Sequence, residues 1–273
     1  MHKDMAEIVA AIVSRKKDVY LCTNGLLLKN RLKDYSPSSY LTLSFHIDGN
    51  RSRHDALAGR EGVYDQVVEA IKLACTKGFR ATVNSTLYEG VTVEETAQFL
   101  DFVMTLGVKG ITISPAYGYA RASQKEIFLK RTKSEQLFRN LFRLGRGRKW
   151  RFHHSGLFLD FLAGNQAYPC TPWGNPARNI FGWQRPCYLL MDEGHAPTFQ
   201  ALMEETDWQR YGPGRNPKCA DCMLHSGFEP TAVNDALAHP FKAIRVLLRG
   251  PGAEGTKAEG WQKKDSNIPP KRR

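Results

Sequence analysis

The chain has 273 residues, a formal net charge of +12 and the hydrophobic content of an ordinary globular protein. This length suffices for one large or two modest domains. No run approaches the roughly 20 apolar residues of a membrane span, and the first 18 residues alternate apolar positions with charges, unlike a secretory signal. We therefore expect a cytoplasmic protein whose six cysteines are thiols or metal ligands rather than disulfides.

The positive charge is unevenly distributed. Residues 121–151 contain eleven Lys and Arg against two Glu, and the last 24 residues contain six against three acids. The final stretch is rich in Gly, Pro and Lys, which predicts disorder. The basic segment 121–151 indicates either an anionic partner, such as nucleic acid or an anionic membrane surface, or a solvated helix face.

The predicted elements alternate between helices and strands. The chain opens on a helix with a capping-box pattern at Asp4–Glu7, and a second capping box stands at Thr92–Glu95. Helical segments separate strand patterns at VYLCTNG (19–25), LTLSFHI (41–47), RATVNSTL (80–87) and GITISPAY (110–117). This order is typical of βα units that build a parallel sheet, so we predict an α/β fold.

Each predicted strand ends in polar or small residues. The ends are Thr23-Asn24, Asp48-Gly49, Asn84-Ser85-Thr86 and Ser114-Pro115. Ser44 and His46 lie two residues apart, so they share a strand face. Ligands of parallel α/β sheets bind at the carboxyl ends of the strands, which makes this rim a candidate site. The alternative for the second strand is a plain Asp-Gly turn.

A change of character near residue 150 predicts a domain boundary. From about residue 128 the pattern is helical, whereas Trp, Pro, Gly and Cys are dense from Cys170 to Gly227. We therefore divide the chain into residues 1–120, a basic helical connector at 121–150, a cysteine-containing domain at 151–248 and a disordered basic tail at 249–273.

Four cysteines of the second part form a candidate metal site: Cys170, Cys187, Cys219 and Cys222. The last two belong to a C-x₂-C motif, CADC. Four thiolates suit a structural zinc ion or an iron–sulfur cluster, and the spacing does not separate the two. Two disulfides are the alternative. Cys75 falls on an apolar helix face and is expected in the core, whereas Cys22 precedes Thr23-Asn24 and is either a buried strand residue or a thiol facing the site.

The strand ends resemble the second half of a radical S-adenosyl-L-methionine (SAM) barrel. VYLCTNGLLL is similar to the third strand of that superfamily, and LTLSFHIDG is similar to the fourth. The resemblance implies a (βα)₆ partial barrel that holds a [4Fe–4S] cluster and SAM. It further implies that Thr23, Asn24, Ser44, Asp48 and Asn84 approach the SAM methionine or ribose.

The resemblance is closest to the adenosylhopane synthase family of hopanoid biosynthesis, over about residues 1–245. It is carried by strings such as FLDFLAGNQAYPCTPWGNPARNIFGWQRPCYLL, LMEETDW and KCADCMLHSG. The resemblance implies a transferase that adds a 5′-deoxyadenosyl radical to the alkene of diploptene. Cys22 would then donate the quenching hydrogen atom, and the four later cysteines would hold an auxiliary cluster.

The same resemblance sets the expected partners. They are the triterpene lipid diploptene, a reductant such as flavodoxin or ferredoxin, and an anionic membrane at whose inner face the enzyme would be peripheral. Nucleic acid is not expected as a partner.

Two motifs of the superfamily are missing from the sequence: the C-x₃-C-x₂-C cluster loop and the GGEP segment. We therefore expect an N-terminally truncated barrel that lacks its first two strands and is inactive alone. The alternatives are another radical SAM enzyme with an auxiliary cluster, and a zinc-binding module that contacts nucleic acid through residues 139–151. A third alternative is an unstable pseudogene product.

Overall fold

The computed structural model describes residues 2–118, 126–190 and 193–253. The chain forms two compact units. The first comprises Met1–Leu87, Val91–Ile113 and Gly147–His153, and the second comprises Tyr88–Gly90, Ser114–Arg146 and His154–Arg273. The predicted divisions at residues 120, 150 and 248 stay predictions. Most of the predicted disordered tail, residues 254–273, lies outside the described residues, as do residues 121–125 of the basic segment.

The first unit alternates helices with the strands of one sheet. Its elements are α1 (Met5–Ser14), β1 (Val19–Thr23), α2 (Leu28–Arg31), β2 (Leu41–His46), α3 (Arg51–Ala58), α4 (Val63–Thr76), β3 (Arg80–Leu87), α5 (Val93–Thr105) and β4 (Ile111–Pro115), of which β4 runs on into the second unit. The described strands of this sheet lie in the order β1-β2-β3-β4, and β2 pairs in parallel with both β1 and β3. The predicted α/β fold with a parallel sheet is confirmed.

The two faces of the sheet differ in chemistry. One face carries Leu43 and Phe45 of β2 and Val83 of β3, all fully buried. Helix α4, whose Val67 and Ile71 are also fully buried, packs against both strands. The alternate positions on these strands are mostly polar. Because side chains alternate across a strand, a helix-covered apolar face leaves a polar face on the other side.

The two predicted helix starts have different outcomes. Thr92 and Glu95 form a complete capping box at α5, as predicted. The capping box predicted at Asp4 is wrong, because the Asp4 side chain accepts no hydrogen bond from the first turn of α1. A cap requires the side-chain oxygen to reach an N–H two or three residues ahead, and sequence spacing alone does not fix that rotamer.

The second unit is mostly helical, with a small sheet. Its further elements are α6 (Arg131–Leu144), α7 (Gly156–Leu162), β5 (Arg178–Asn179), β6 (Gly182–Gln184), β7 (His195–Ala196), α8 (Phe199–Glu205), α9 (His225–Ala238) and α10 (Pro240–Arg249). Strands β5, β6 and β7 pair antiparallel. Helix α7 packs against α6, α9 and α10, and the rings of Phe161 and Phe228 stack 4.7 Å apart in this core. None of the described helices has the length and apolar character required to cross a membrane.

The buried face of β2 gives a stability test. We expect Leu43→Ala to lower the free energy of unfolding by about 2–5 kcal/mol, because Leu43 is fully buried and its loss leaves a cavity. Leu27→Ala is the matched control at a side chain that is 56% exposed, and we expect a change within about 0.5 kcal/mol. Urea denaturation of both variants measures the difference, and equal effects would contradict the assignment of the faces.

Candidate functional site

The polar face of the sheet brings three predicted site residues together. In the strand register, Ser44 pairs with Cys22 on β1 and with Thr82 on β3, and His46 pairs with Asn84. Paired positions in a sheet point to the same side, so these five side chains share the face opposite the helices. Ser44 is buried, whereas the Cys22 thiol is exposed. The structure thus places Cys22, Ser44 and Asn84 on one surface.

Thr23 and Asn24 lie differently. Thr23 pairs with Phe45 and therefore belongs to the opposite face of the sheet. Its Oγ1 accepts a hydrogen bond from the Gly25 N–H at 3.0 Å, and Asn24 Oδ1 accepts from the Leu26 N–H at 3.3 Å. Both side chains therefore stabilise the turn after β1. Their predicted contact with SAM stays a prediction.

Asp48 is a buried carboxylate that joins the ends of two strands. Its Oδ1 accepts a hydrogen bond from the Thr86 N–H at 2.7 Å, and its Oδ2 lies 2.7 Å from His46 Nε2. Thr86 belongs to β3 and His46 ends β2, so the carboxylate fixes the geometry of this rim. Both oxygens are engaged within the protein, which gives Asp48 a positioning role in the described structure.

His46 is the accessible partner of this pair. The hydrogen bond that His46 donates to Asp48 raises the pKa of His46 above its ordinary value, against the opposing effect of partial burial. Its imidazole is partly exposed at the carboxyl end of β2, on the face of Ser44 and Asn84. Sequence reasoning placed His46 on this face but gave it no role. The His-x-Asp spacing was the available signal, because it puts both side chains at one strand end.

His54 and Asp55 stabilise the main chain next to this rim through hydrogen bonds. His54 Nδ1 accepts a hydrogen bond from the Asp48 N–H at 3.1 Å, and burial lowers the pKa of this histidine. The neutral ring therefore carries its proton on Nε2, which has no hydrogen-bond partner among the described residues. Asp55 accepts hydrogen bonds from the Gly62 and Tyr64 N–H groups and so holds the start of α4.

The four later cysteines lie together in the second unit. Cys170 precedes a short 3₁₀ turn, Cys187 follows β6, and Cys219 and Cys222 flank the loop before α9. Burial raises the pKa of all four thiols, that of Cys222 to about 12. For Cys170 the charges of the other three cysteines add to this increase in pKa. A thiolate set of this kind is unfavourable without a cation to neutralise it.

Several backbone groups are arranged around these sulfurs. Hydrogen bonds from the backbone of Leu189 and Leu190 to Cys187, and from Gly212 to Cys219, act to lower the pKa of those thiols. A Cβ atom on Gly227 would lie 2.6 Å from Cys170 Sγ, so glycine leaves the space that this sulfur occupies. Backbone hydrogen bonds to sulfur are a feature of iron–sulfur sites and tune them.

The C-x₂-C loop is braced by the start of α6. Asp221 accepts a hydrogen bond from the Arg131 N–H at 3.1 Å and pairs with Lys130 at 3.0 Å. The Arg131 guanidinium also donates to the Cys222 carbonyl at 3.1 Å. Two basic residues of this predicted segment therefore make contacts within the protein. Lys133 likewise pairs with Glu89, and Arg139 donates to the Ala163 carbonyl.

The four thiols are a donor set that either a zinc ion or a [4Fe–4S] cluster can use. Within residues 2–118, 126–190 and 193–253, no three His, Cys, Asp or Glu side chains stand close enough to hold one metal ion. A zinc ion draws four thiolates onto one atom, with bonds of about 2.3 Å. In a [4Fe–4S] cluster each thiolate binds a different iron, so the ligands stand further apart.

Comparison with known protein families assigns both parts of the chain. Residues 1–103 match the radical SAM superfamily, and residues 111–246 match a domain of unknown function, DUF3463. The GTP 3′,8-cyclase of Aquifex aeolicus (strain VF5) is 33% identical over 112 residues, which is 40% of this chain and 35% of that protein. The match thus spans about a third of the curated relative.

Solved structures show the same fold. Streptococcus suis SuiB bound to S-adenosylmethionine superposes with a TM-score of 0.52 at 15% identity, over 83% of this chain and 57% of SuiB. A second SuiB structure gives a TM-score of 0.50 at 15% identity, over 61% and 40% of the two chains.

Residues 1–103 of the chain are thus similar to the radical SAM superfamily. This superfamily uses SAM and a [4Fe–4S] cluster, in agreement with the predicted cofactors. More particularly, the chain combines a radical SAM segment at residues 1–103 with the domain DUF3463 at residues 111–246.

The His46–Asp48 pair gives a pH test. We expect Asp48→Asn to lower the pKa of His46 toward about 6.5, because the hydrogen bond to the carboxylate is the main cause of its increase. Stability from protonated His46 is complete below that ordinary pKa and is lost as the pH rises through the raised one. NMR titration of the ring measures the pKa. Asp55→Asn is the matched control and should leave it unchanged, whereas an unchanged value in Asp48→Asn would contradict the pairing.

Proposed function

We propose that these residues form part of an adenosylhopane synthase, a radical SAM enzyme that joins a 5′-deoxyadenosyl group to diploptene. The resemblance of the sequence in both units supports this reaction. The observation that carries the proposal is the position of Cys22, an exposed thiol on the polar sheet face in register with Ser44. Addition to an alkene requires a hydrogen-atom donor beside the SAM site, and in this proposal Cys22 is that donor.

SAM would lie along the polar face of the sheet. Ser44 and Asn84 offer side chains that hydrogen-bond a methionine or a ribose, and His46 adds a group with a raised pKa at the same rim. Asp48 would act indirectly, because its carboxylate holds His46 and the Thr86 N–H in place. Thr23 and Asn24 would contribute through the main chain of the turn that their side chains stabilise.

The cofactors would supply the 5′-deoxyadenosyl radical when bound. In the proposed reaction this radical would form one carbon–carbon bond to the alkene, which would leave an unpaired electron on a substrate carbon. Cys22 then gives its sulfur-bound hydrogen atom to that carbon, which completes the product and leaves a thiyl radical on the protein. An external one-electron reductant, such as flavodoxin or ferredoxin, together with a proton restores the thiol.

The catalytic cluster would be held by cysteines outside these 273 residues, whose sequence has no C-x₃-C-x₂-C motif. In this proposal the first two strands of the barrel accompany that motif, and β1–β4 are strands three to six. Cys170, Cys187, Cys219 and Cys222 would hold an auxiliary [4Fe–4S] cluster. The lipid substrate would place the enzyme at the inner face of the cell membrane, in peripheral contact with it.

Iron analysis tests the auxiliary cluster. We expect the 273-residue protein, reconstituted without oxygen, to hold about four iron and four sulfide per chain and to show no reductive SAM cleavage. Cys219→Ser should lose this iron, whereas Cys75→Ser, at a cysteine on α4 near Gly107, is the matched control and should keep it. One zinc per chain without sulfide would contradict the cluster.

Isotope incorporation tests Cys22 in the enzyme that includes the cluster-binding segment. A thiol proton exchanges with solvent, so we expect product formed from diploptene in deuterium oxide to carry one deuterium. Cys22→Ala should lower product formation by at least about tenfold, because the radical then lacks its hydrogen donor. Cys75→Ala serves as the control and should retain activity. Undiminished turnover with full deuterium incorporation in Cys22→Ala would exclude this role.

A second candidate reaction comes from the relative of known activity. The sequence identity with a GTP 3′,8-cyclase favours a nucleotide as substrate of the same scaffold. Incubation of the enzyme with GTP and with diploptene separates the two reactions. Adenosylated triterpene supports the synthase, whereas a cyclised nucleotide would replace it with the second candidate.

A further inference from the structure

Helix α10 turns its apolar side to solvent. Its sequence is PFKAIRVLLR, in which Phe241, Ile244, Leu247 and Leu248 fall on one side of the helix. Phe241, Leu247 and Leu248 are 85%, 78% and 81% exposed. The buried side is narrow and consists mainly of Val246, which is next to Gly156 of α7. Helices of globular proteins ordinarily have the reverse arrangement, so this face is suited to a partner.

The exposed face is held in place at both ends of the helix. At its start, the buried carboxylate of Asp235 contacts Lys242 Nζ at 2.6 Å, His239 Nδ1 at 2.8 Å and the Tyr168 hydroxyl at 2.6 Å. After its end, buried Asp160 accepts a hydrogen bond from the Gly252 N–H at 3.0 Å. The apolar side is therefore directed outward by specific polar contacts.

The charge of α10 has one sign. The helix contains Lys242, Arg245 and Arg249 and no acidic residue. Lys242 forms an ion pair with Asp235, whereas Arg245 and Arg249 are exposed along the edge of the apolar face. An apolar face with cationic residues at its rim is complementary to an anionic lipid surface, where the rings and leucines enter the acyl boundary and the guanidinium groups meet the headgroups.

We propose that α10 is a membrane-docking helix, with Phe241, Ile244, Leu247 and Leu248 as the inserted face and with Arg245 and Arg249 as contacts to anionic phospholipid. A second copy of the helix is a poorer partner, because its like charges would be brought together without a countercharge. The docking surface differs from the basic segment 121–151 and does not depend on the proposed reaction. A binding assay for it needs neither SAM, nor a cluster, nor substrate.

Vesicle flotation of the full 273-residue chain tests this surface. We expect binding to vesicles of phosphatidylcholine and phosphatidylglycerol in equal amounts and weaker binding to phosphatidylcholine alone. Phe241→Ser with Leu248→Ser should weaken binding by more than about tenfold, because two inserted side chains are lost. Arg245→Gln with Arg249→Gln should weaken binding to the anionic vesicles by about fivefold per residue and should abolish the preference for them.

The matched control is Ile180→Ser with Phe181→Ser, which removes two side chains that are 88% and 74% exposed in the turn between β5 and β6. We expect this control to bind as the unchanged protein does, and circular dichroism should show equal helix content in all variants. Full binding by the Phe241/Leu248 variant would overturn the proposal. So would a dimer of the unchanged protein that this variant converts to a monomer without any vesicle binding.

Discussion

The buried carboxylate of Asp48 is the contact on which the candidate site depends. It joins His46, the last residue of β2, to the main chain of β3 at Thr86. The Asp48 N–H in turn donates a hydrogen bond to His54. Burying a carboxylate costs free energy unless both of its oxygens have partners, so the loss of any of these contacts would destabilise the rim. The result is a rim of fixed geometry at which His46, Ser44 and Asn84 face one side. A polar face with ordered neighbours can bind a ligand without a large loss of side-chain entropy.

The strands of this sheet could be predicted because their residues follow a simple rule. Alternation along LTLSFH puts Ser44 and His46 on one side, and the register confirms that they share it with Cys22 and Asn84. The direction of the Asp48 side chain could not be predicted, since its partner Thr86 lies 38 residues later. The sequence likewise predicts Thr23 as a rim residue, but the alternation of side chains along β1 puts it on the face opposite to Ser44. Short-range sequence patterns determine which face of the sheet a side chain lies on, whereas long-range hydrogen bonds determine what that side chain does.

The cysteines of the second unit illustrate the same limit. The C-x₂-C motif is visible in the sequence, but nothing local indicates that Cys170 and Gly227 meet, or that backbone groups after Cys187 point at its sulfur. The basic segment is a further example. Its charge suggested an anionic partner, yet Lys130 and Arg131 bind the loop of Asp221. A charge count describes a segment, and only the geometry shows which charges the fold already uses.

Helix α10 shows how the fold can present an unfavourable surface in a defined way. Exposed Phe241, Leu247 and Leu248 oppose solubility, and a helix free to rotate would bury them. Rotation is resisted by Asp235 at one end and by Asp160 at the other, and both carboxylates are themselves buried. Breaking either contact would leave a buried charge with fewer partners, which costs more than the apolar burial of one side chain regains. The same physical device therefore operates in both units: a buried carboxylate fixes a segment so that a neighbouring group, His46 in one and the apolar face in the other, stays directed outward.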